Sequence, residues 1–176
     1  DEQVRSAVPL LTRATPLIGH FQIRSRGTLG GSIAHADPAA EYPAVAVALD
    51  AEMETVSPSG RRTVPARDFF SGVWETAMAS DEILTAVRFP VWSGRCGFAV
   101  EEFARRHGDF AIAGVAVAVE LDGDDRVRRC GIGLLGLSAT PRRASAAESA
   151  VTGRAVGELS IDDVGELAMA GLDDIP

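Results

Sequence analysis

A glycine-rich run at residues 27–32, GTLGGS, is the segment whose residue types are best suited to holding a ligand. Consecutive glycines allow the backbone to take positive φ and to turn several amide groups toward one point. Asp37 followed by Pro38 predicts the start of a helix shortly afterwards, and a helix N-terminus carries a partial positive charge. With Arg24 and Arg26 just upstream, these features suit a phosphate or pyrophosphate group.

The spacing of the glycines leaves an ordinary tight turn open as the alternative. Gly27, Gly30 and Gly31 do not match the G-x-G-x-x-G pattern of dinucleotide-binding folds. They also do not match the nucleoside triphosphate loop, which requires a Gly-Lys pair that this lysine-free chain cannot supply. The spacing therefore does not decide between anion binding and a tight turn.

No arrangement of histidine or cysteine predicts a catalytic or metal site. His20, His35 and His107 have no nucleophile or aspartate beside them in a recognisable catalytic arrangement. Cys96 and Cys130 lie far apart without the spacing of metal ligands, and they are expected to be reduced, buried thiols. We therefore predict neither catalytic residues nor metal ligands in this chain.

Length and net charge limit the classes of protein to which this chain can belong. The 176 residues are 46% hydrophobic, which is enough to bury a core in one domain or two small ones. A formal net charge of −8 argues against nucleic acid and anionic membranes as partners, since both attract basic surfaces. The sequence has no apolar run of membrane-spanning length, and it does not begin like a signal peptide. These features predict a soluble, cytoplasmic protein without membrane insertion.

The first half of the sequence mixes helical and strand patterns. Apolar residues at spacings of three and four predict a helix over residues 2–15 that Pro9 bends or shortens. Residues 17–38 form the longest irregular stretch, and a loop of that length usually has a function. The elements predicted after it are a helix over 38–50, a hairpin of 51–57 and 61–65, a short helical turn over 68–72 and a strand over 82–90.

A second block begins after residues 90–97, where turn-forming residues separate two strand-rich regions. Its predicted elements are strands over 97–106, 111–121 and 127–137, followed by helices over 141–151 and 161–172. The two blocks predict an α+β fold with a first domain at 1–92 and a second at 93–176. The second domain is expected to be a three-stranded antiparallel sheet with helices.

Three segments of the sequence resemble segments of one known protein family. Residues 20–49, HFQIRSRGTLGGSIAHADPAAEYPAVAVAL, contain a T-[IL]-G-G-[SN] signature followed by an acidic helix start. The other two are DEILTAVRFP at 81–90 and residues 98–119, which contain ARRHGDFAIAGVAVAV. In this order they resemble the FAD-binding (medium) subunits of molybdenum hydroxylases, the carbon monoxide dehydrogenase and xanthine dehydrogenase family. The resemblance implies that 1–92 is the second part of a two-part FAD-binding domain and that 93–176 is a truncated C-terminal domain.

The resemblance also assigns residues to the cofactor. Those expected to line the FAD diphosphate, through backbone amides and hydroxyl groups, are Thr28, Leu29, Gly30, Gly31 and Ser32. Glu41 would hold polar groups of the ribityl or adenosine part. The further candidates, expected beside the flavin, are Ile18, Gly19, His35 and Leu84. Some relatives have a lysine near the flavin where this chain has Glu101 or its neighbour, so no basic group is predicted there.

The family resemblance implies an electron-transfer role. Substrate would be oxidised at a molybdenum cofactor on a large partner subunit. Electrons would then pass through 2Fe–2S clusters on a small partner subunit to FAD and on to an acceptor. The chain is therefore expected to belong to an oxidoreductase subunit that binds and tunes the flavin, without a residue acting as acid or base.

One segment of the family pattern is missing. Nothing N-terminal to Gly27 resembles the family's earlier A-G-G-x-S segment, which holds the other side of the diphosphate. The chain therefore resembles a fragment, and alone it is expected to be inactive. The alternative is a flavin-free fragment or assembly module that only contacts partner subunits, because half a binding site gives few contacts to offset the cost of ordering it.

Overall fold

The N-terminal helix is divided in two. The computed structural model of the protein describes residues 1–172, so residues 173–176 of the predicted second domain lie outside the described part. Helix α1 spans Glu2–Ala7 and helix α2 spans Pro9–Ala14. The break falls at Val8 because Pro9 has no amide hydrogen with which to continue α1. The predicted effect of this proline is therefore confirmed.

Residues 17–38 are largely helical, which corrects the prediction of a long irregular stretch. A 3₁₀ turn at Thr15–Leu17 leads to helix α3, Phe21–Arg24, and helix α4, Leu29–His35. Helix α4 begins inside the glycine-rich run, and neither Gly30 nor Gly31 has positive φ. Helices this short are stabilised by capping and tertiary contacts, which the sequence pattern does not display.

Helix α5 spans Glu41–Ala48 and is shorter than the predicted 38–50. Asp37 does not cap it, because its Oδ1 accepts from the Ala39 amide at 2.9 Å in a separate turn. Residues 43–48 of the helix are all buried, with Val45 in one core cluster and Val47 in another. A helix that is apolar all round lies between two layers of structure. Although α5 is apolar, no helix within residues 1–172 combines the length and apolar character needed to cross a bilayer.

The first sheet is built from the predicted hairpin and the strand that follows it. The elements are β1 Glu52–Ser57, β2 Gly60–Pro65, helix α6 Ala66–Phe69, β3 Phe70–Gly72, β4 Glu75–Thr76 and β5 Ile83–Arg88. Strands β2, β1 and β5 are antiparallel neighbours in that order. The predicted hairpin and the strand after it are confirmed, whereas the sequence did not predict the strand order. The helical turn predicted over 68–72 ends early, because Phe70 pairs with Thr76 in a separate two-stranded ribbon.

The second sheet carries the three predicted strands and one more. Its elements are β6 Arg95–Phe103, β7 Ala113–Leu121, β8 Val127–Leu135, β9 Arg142–Arg143 and the helices α7 Ser145–Val151 and α8 Ile161–Met169. The antiparallel order is β6-β7-β8-β9. The α+β prediction is confirmed. Strand β9 was not predicted because two residues are too few to show an alternating pattern, and its pairing delays the start of α7.

Helix α5 contacts β8 backbone to backbone at a place we call the α5–β8 seam, formed by Ala44, Ala48, Gly131 and Gly133. A Cβ atom at Gly131 would overlap the carbonyl oxygen of Ala48, and one at Gly133 would overlap that of Ala44. Glycine at these positions therefore allows a close approach of helix and strand. The seam fixes the N-terminal end of α5, where Glu41 lies, relative to the second sheet.

Arg143 adds charged contacts beside the seam. Its guanidinium forms ion pairs with Asp50, just after α5, and with Glu148 of α7 at 2.8 Å. The Glu148 carboxylate also accepts from the Ile132 amide of β8 at 2.7 Å. These bonds connect helices from both halves of the chain to the same strand.

Candidate functional site

A cleft of about 720 Å³ opens where α3, α4 and the start of α5 meet the connection between β6 and β7. Eight of the ten predicted cofactor-binding residues line it: Ile18, Gly19, Thr28, Leu29, Gly31, Ser32, His35 and Glu41. Gly30 lies within the same turn of α4. Leu84 does not line the cleft, since it is on β5 and packs against the core cluster that contains Ile33.

The first turn of α4 contains two backbone amides that donate no hydrogen bond to any described residue. Thr28 caps the helix, because its Oγ1 accepts from the Gly31 amide at 2.9 Å and its carbonyl accepts from the Ser32 amide at 3.0 Å. The amides of Leu29 and Gly30 have no acceptor among the described residues. A Cβ built at Gly30 meets no atom within 4 Å. The two amides thus lie at the capped start of a helix. The prediction that these glycines take positive φ in a turn is wrong for Gly30 and Gly31.

Arg24 shapes the wall of the cleft. Its Nη1 donates to the carbonyl oxygens of Ile18 and Gly19 at 2.9 and 2.7 Å. Gly19 has a φ of 44°, a left-handed conformation that glycine takes at little cost. Of the two arginines predicted to offset ligand charge, Arg24 is therefore engaged by backbone carbonyls, and Arg26 is the exposed basic side chain in the lining.

Glu41 is the carboxyl group of the cleft whose protonation is most perturbed. Burial raises its pKa from 4.5 to about 7, a backbone hydrogen bond at the helix start partly opposes the rise, and the nearby charges of Glu102 and Asp37 add to it. A carboxyl group with this pKa is partly protonated at pH 7, so it can both donate and accept a hydrogen bond. Such a group suits the hydroxyl or amino groups of a ligand.

His35 lies at the other end of α4, next to an exposed tryptophan. The His35 and Trp74 rings are stacked with centroids 6.2 Å apart and an interplanar angle of 15°. The indole Nε1 of Trp74 donates to Asp37 Oδ2 at 3.3 Å. The Asp37 carboxylate thus accepts hydrogen bonds from Trp74 and from the turn before α5. It does not cap a helix, although the sequence predicted a cap.

The sequence patterns did not place the connection between β6 and β7 in this site. Gly108, Asp109 and Phe110 line the cleft, although the charged run around them favours a solvated turn or subunit contact. Gly108 has a φ of 89°, and a Cβ there would overlap the imidazole of His20. The close contact of His20 with Gly108 brings α3 and the β6–β7 connection together. The sequence pattern does not predict this tertiary contact.

Two family comparisons account for nearly all of the chain. Residues 1–92 match the FAD binding domain in molybdopterin dehydrogenase, and residues 98–173 match the CO dehydrogenase flavoprotein C-terminal domain. The chain belongs to this family of FAD-binding subunits. The predicted resemblance to the carbon monoxide dehydrogenase and xanthine dehydrogenase family is therefore confirmed.

Curated relatives and solved structures agree with the family. The chain is 42% identical over 158 residues to the caffeine dehydrogenase subunit beta of Pseudomonas sp. strain CBB1, covering 89% of the chain and 53% of the relative. It is 35% identical over 167 residues to the carbon monoxide dehydrogenase medium chain of Hydrogenophaga pseudoflava, covering 95% and 58%. A structure of carbon monoxide dehydrogenase from H. pseudoflava, lacking the Mo-pyranopterin moiety of the molybdenum cofactor, matches with a TM-score of 0.92 and 38% identity, covering 97% of the chain and 59% of its counterpart.

The chain spans a little over half of the length of these family members. Within residues 1–172, no group of three or more His, Cys, Asp or Glu side chains is arranged to hold a metal ion. Cys96 and Cys130 are free thiols, and burial raises the pKa of the Cys130 thiol to about 11. The cleft is lined by backbone amides, by hydroxyl and carboxyl groups, by arginine and histidine side chains, and by aromatic rings.

Proposed function

We propose that the cleft binds FAD and that the full-length protein is the FAD-binding, electron-transfer subunit of a molybdenum-containing hydroxylase. One observation carries this proposal: the amides of Leu29 and Gly30 have no acceptor among the described residues, and they lie in the first turn of α4 beside the cleft, inside the family's FAD-binding domain. Backbone amides at a helix start are well suited to phosphate oxygens.

The residues present fit the parts of FAD. A cleft of about 720 Å³ lies within the range of about 300–1,000 Å³ that is usual for small-molecule sites. The first turn of α4, with the hydroxyls of Thr28 and Ser32, would hold the diphosphate. Glu41 would accept from or donate to hydroxyl or amino groups of the ribityl or adenosine part. Ile18 and Gly19 would offer backbone and apolar surface to the ring system.

In the proposed function, FAD, when bound, supplies the redox chemistry, which belongs to the cofactor. This chain's own contribution is to bind and orient it and to exclude water from the cleft. The proposed partners are a large subunit with the molybdenum cofactor and a small subunit with 2Fe–2S clusters. A relative that is named a medium chain supports an assembly of several subunits.

A valine at Gly30 tests the proposed site. In the full-length protein, Gly30→Val should fold normally, because the added side chain enters open space, but it should block the approach of a diphosphate to the two amides. We expect FAD content, measured by visible absorbance per protein, to fall by about tenfold or more. Gly165→Val is the matched control, since Gly165 is also helical, also has no atom within 4 Å of a built Cβ, and lies on α8.

Full flavin content in Gly30→Val would contradict the assigned loop. Absence of flavin from the wild-type full-length protein after reconstitution with FAD would favour the assembly-module alternative. Equal loss in Gly30→Val and Gly165→Val would show a general effect of helix substitution and would also count against the site.

A further inference from the structure

Trp74 has a backbone conformation that is unusual for a bulky residue. It is the second residue of the two-residue turn that joins β3 to β4, and its φ is 59°. A positive φ at that position of a turn favours glycine or asparagine, because a large side chain is disfavoured there. The Trp74 amide donates to the carbonyl of Ala36, the C-cap of α4, which also has a positive φ, of 55°. The fold therefore holds a tryptophan in a conformation that costs free energy.

Contacts within the described residues do not account for the tryptophan side chain at this position. Trp74 is 64% exposed. Its indole Nε1 makes one hydrogen bond, of 3.3 Å, to the Asp37 carboxylate, and its ring stacks on His35. A strained and exposed aromatic residue is poorly explained by packing, and strained residues of this kind are concentrated at ligand-binding sites.

The side chain of Trp74 is joined to the cleft through both of its partners. His35 and Asp37 line the cleft, so Trp74 lies at its rim. The rings of His35 and Trp74 are nearly parallel, with an interplanar angle of 15°, and both residues are exposed. We call this pair the aromatic platform. Aromatic side chains bind nucleobases by stacking on the face of the base.

The aromatic platform lies at a suitable distance from the proposed diphosphate site. Helix α4 leads from the amides of Leu29 and Gly30 to His35, a distance of about 9 Å at about 1.5 Å per residue. In FAD, one ribose joins the adenine to the diphosphate and can bridge such a distance. The isoalloxazine is joined through the longer ribityl chain, and the proposed function places it against Ile18 and Gly19. The adenine is therefore the aromatic part of FAD that is left for the platform.

We propose that the aromatic platform binds the adenine ring of FAD, and that Trp74 thereby gives the site a preference for FAD over FMN. The inference rests on the proposed function. It assigns His35 to the adenine, whereas the family resemblance places this residue beside the flavin. Stacking of the adenine would remove exposed surface of the platform from water, and this gain offsets the cost of the Trp74 backbone conformation in the complex.

A glycine at position 74 removes the aromatic ring and relieves the backbone in one change. Because glycine takes positive φ at little cost, full-length Trp74→Gly should unfold within about 4 °C of the wild-type temperature. Calorimetric titration of the FAD-depleted protein should show its dissociation constant for FAD raised by about tenfold or more, the usual effect of losing a base stack. The dissociation constant for FMN, which lacks the adenosine, should change by less than about twofold.

Two further variants control the comparison. Val73 is the other central residue of the same turn, is exposed, and does not line the cleft. Val73→Gly should therefore keep the wild-type affinity for FAD, whereas a general loosening of the turn would weaken binding in both glycine variants. Trp74→Phe keeps an aromatic ring without the hydrogen bond to Asp37, and its affinity for FAD should stay within about threefold of wild type.

The outcomes separate this inference from the function on which it rests. Wild-type affinity for FAD in Trp74→Gly would overturn the inference. Equal losses of FAD and FMN affinity would place the flavin ring on the platform and would also overturn it, as would equal losses of FAD affinity in Trp74→Gly and Val73→Gly. In these three cases the wild-type protein binds FAD and the proposed function stands. Failure of the wild-type protein to bind FAD would overturn both.

Discussion

Two pairs of glycines in this protein have opposite surroundings. At the α5–β8 seam, a side chain at Gly131 or Gly133 would overlap a backbone carbonyl of α5. At the start of α4, a Cβ at Gly30 would meet no atom within 4 Å, and one at Gly31 would overlap a side-chain atom, the Thr28 hydroxyl oxygen at 2.9 Å, and no backbone atom. The first pair is explained by the packing of the fold. Packing does not explain Gly30, and this difference points to a ligand.

Polar groups show the contrast only in part, because the Trp92 indole Nε1, whose ring lies beside Gly131, is also buried without a partner among the described residues. Beside the seam, Arg143, Glu148 and the Ile132 amide satisfy one another. Around the cleft, two amides of α4 have no acceptor among the described residues, and Glu41 has a raised pKa. Sites of function commonly break local rules that the rest of a fold obeys. The unused amides and the raised pKa of Glu41 are therefore what we expect if the cleft binds a ligand.

The largest effect is expected at the seam. Gly133→Ala should lower the free energy of unfolding by about 3 kcal/mol, because the new methyl group forces α5 away from β8. Urea denaturation of the full-length protein measures the change. Gly97→Ala on β6 is the control, since a Cβ there meets no atom within 4 Å, and it should change stability by less than about 1 kcal/mol. Equal losses of stability in Gly133→Ala and Gly97→Ala would contradict the distinction between glycines packed against backbone and glycines without neighbours.

Substitution of Glu41, in contrast, is expected to raise the stability of the protein. Its folded pKa of about 7 lies above the ordinary value of 4.5, so its stabilising contribution is complete below about pH 4.5 and is lost as pH rises through 7. In the FAD-depleted protein, Glu41→Gln should therefore raise stability at pH 8 by roughly 2 kcal/mol relative to wild type, and much less at pH 5. Thermal unfolding between pH 5 and 8 tests this, and parallel curves for the two proteins would contradict it.

Removal of the cap on α4 should have a smaller effect. Thr28→Ala deletes the hydroxyl that accepts from the Gly31 amide, and it should cost about 1 kcal/mol of stability and weaken FAD binding. Thr28→Ser keeps a capping hydroxyl and should retain most of both properties. If Thr28→Ala and Thr28→Ser behaved alike, capping would not be the role of this residue.

The smallest change in stability is expected at Gly30. Gly30→Ala should alter the free energy of unfolding by less than about 1 kcal/mol, because alanine is a good helix former and its methyl group meets no neighbour. Chemical denaturation without FAD measures this. A loss as large as that of Gly133→Ala would show that Gly30 is required by the fold, and the contrast between the two glycine pairs would fail.

Much of the sheet structure could be predicted from the sequence. The hairpin of β1 and β2 and the long strands β6, β7 and β8 have alternating or β-branched patterns with turn residues between them, and local sequence determines such patterns. The two-residue strand β9 could not be predicted, because its pairing with β8 depends on tertiary position.

The sequence did not predict the conformation of the candidate site. The resemblance assigned Thr28–Ser32 and Glu41 to FAD, and all of these except Gly30 line one cleft; their contact with FAD stays a prediction. The glycines suggested a loop, whereas Thr28 capping and the burial of Ile33 produce a helix. The place of Gly108 in the cleft depends on how the connection after β6 folds back toward His20, so it could not be predicted from spacing along the chain.

The most direct test of the central claim is a structure of the full-length protein with FAD bound. The account predicts diphosphate oxygens within about 3.2 Å of the backbone nitrogens of both Leu29 and Gly30. FAD bound with its diphosphate beyond hydrogen-bond reach of these two amides would contradict it.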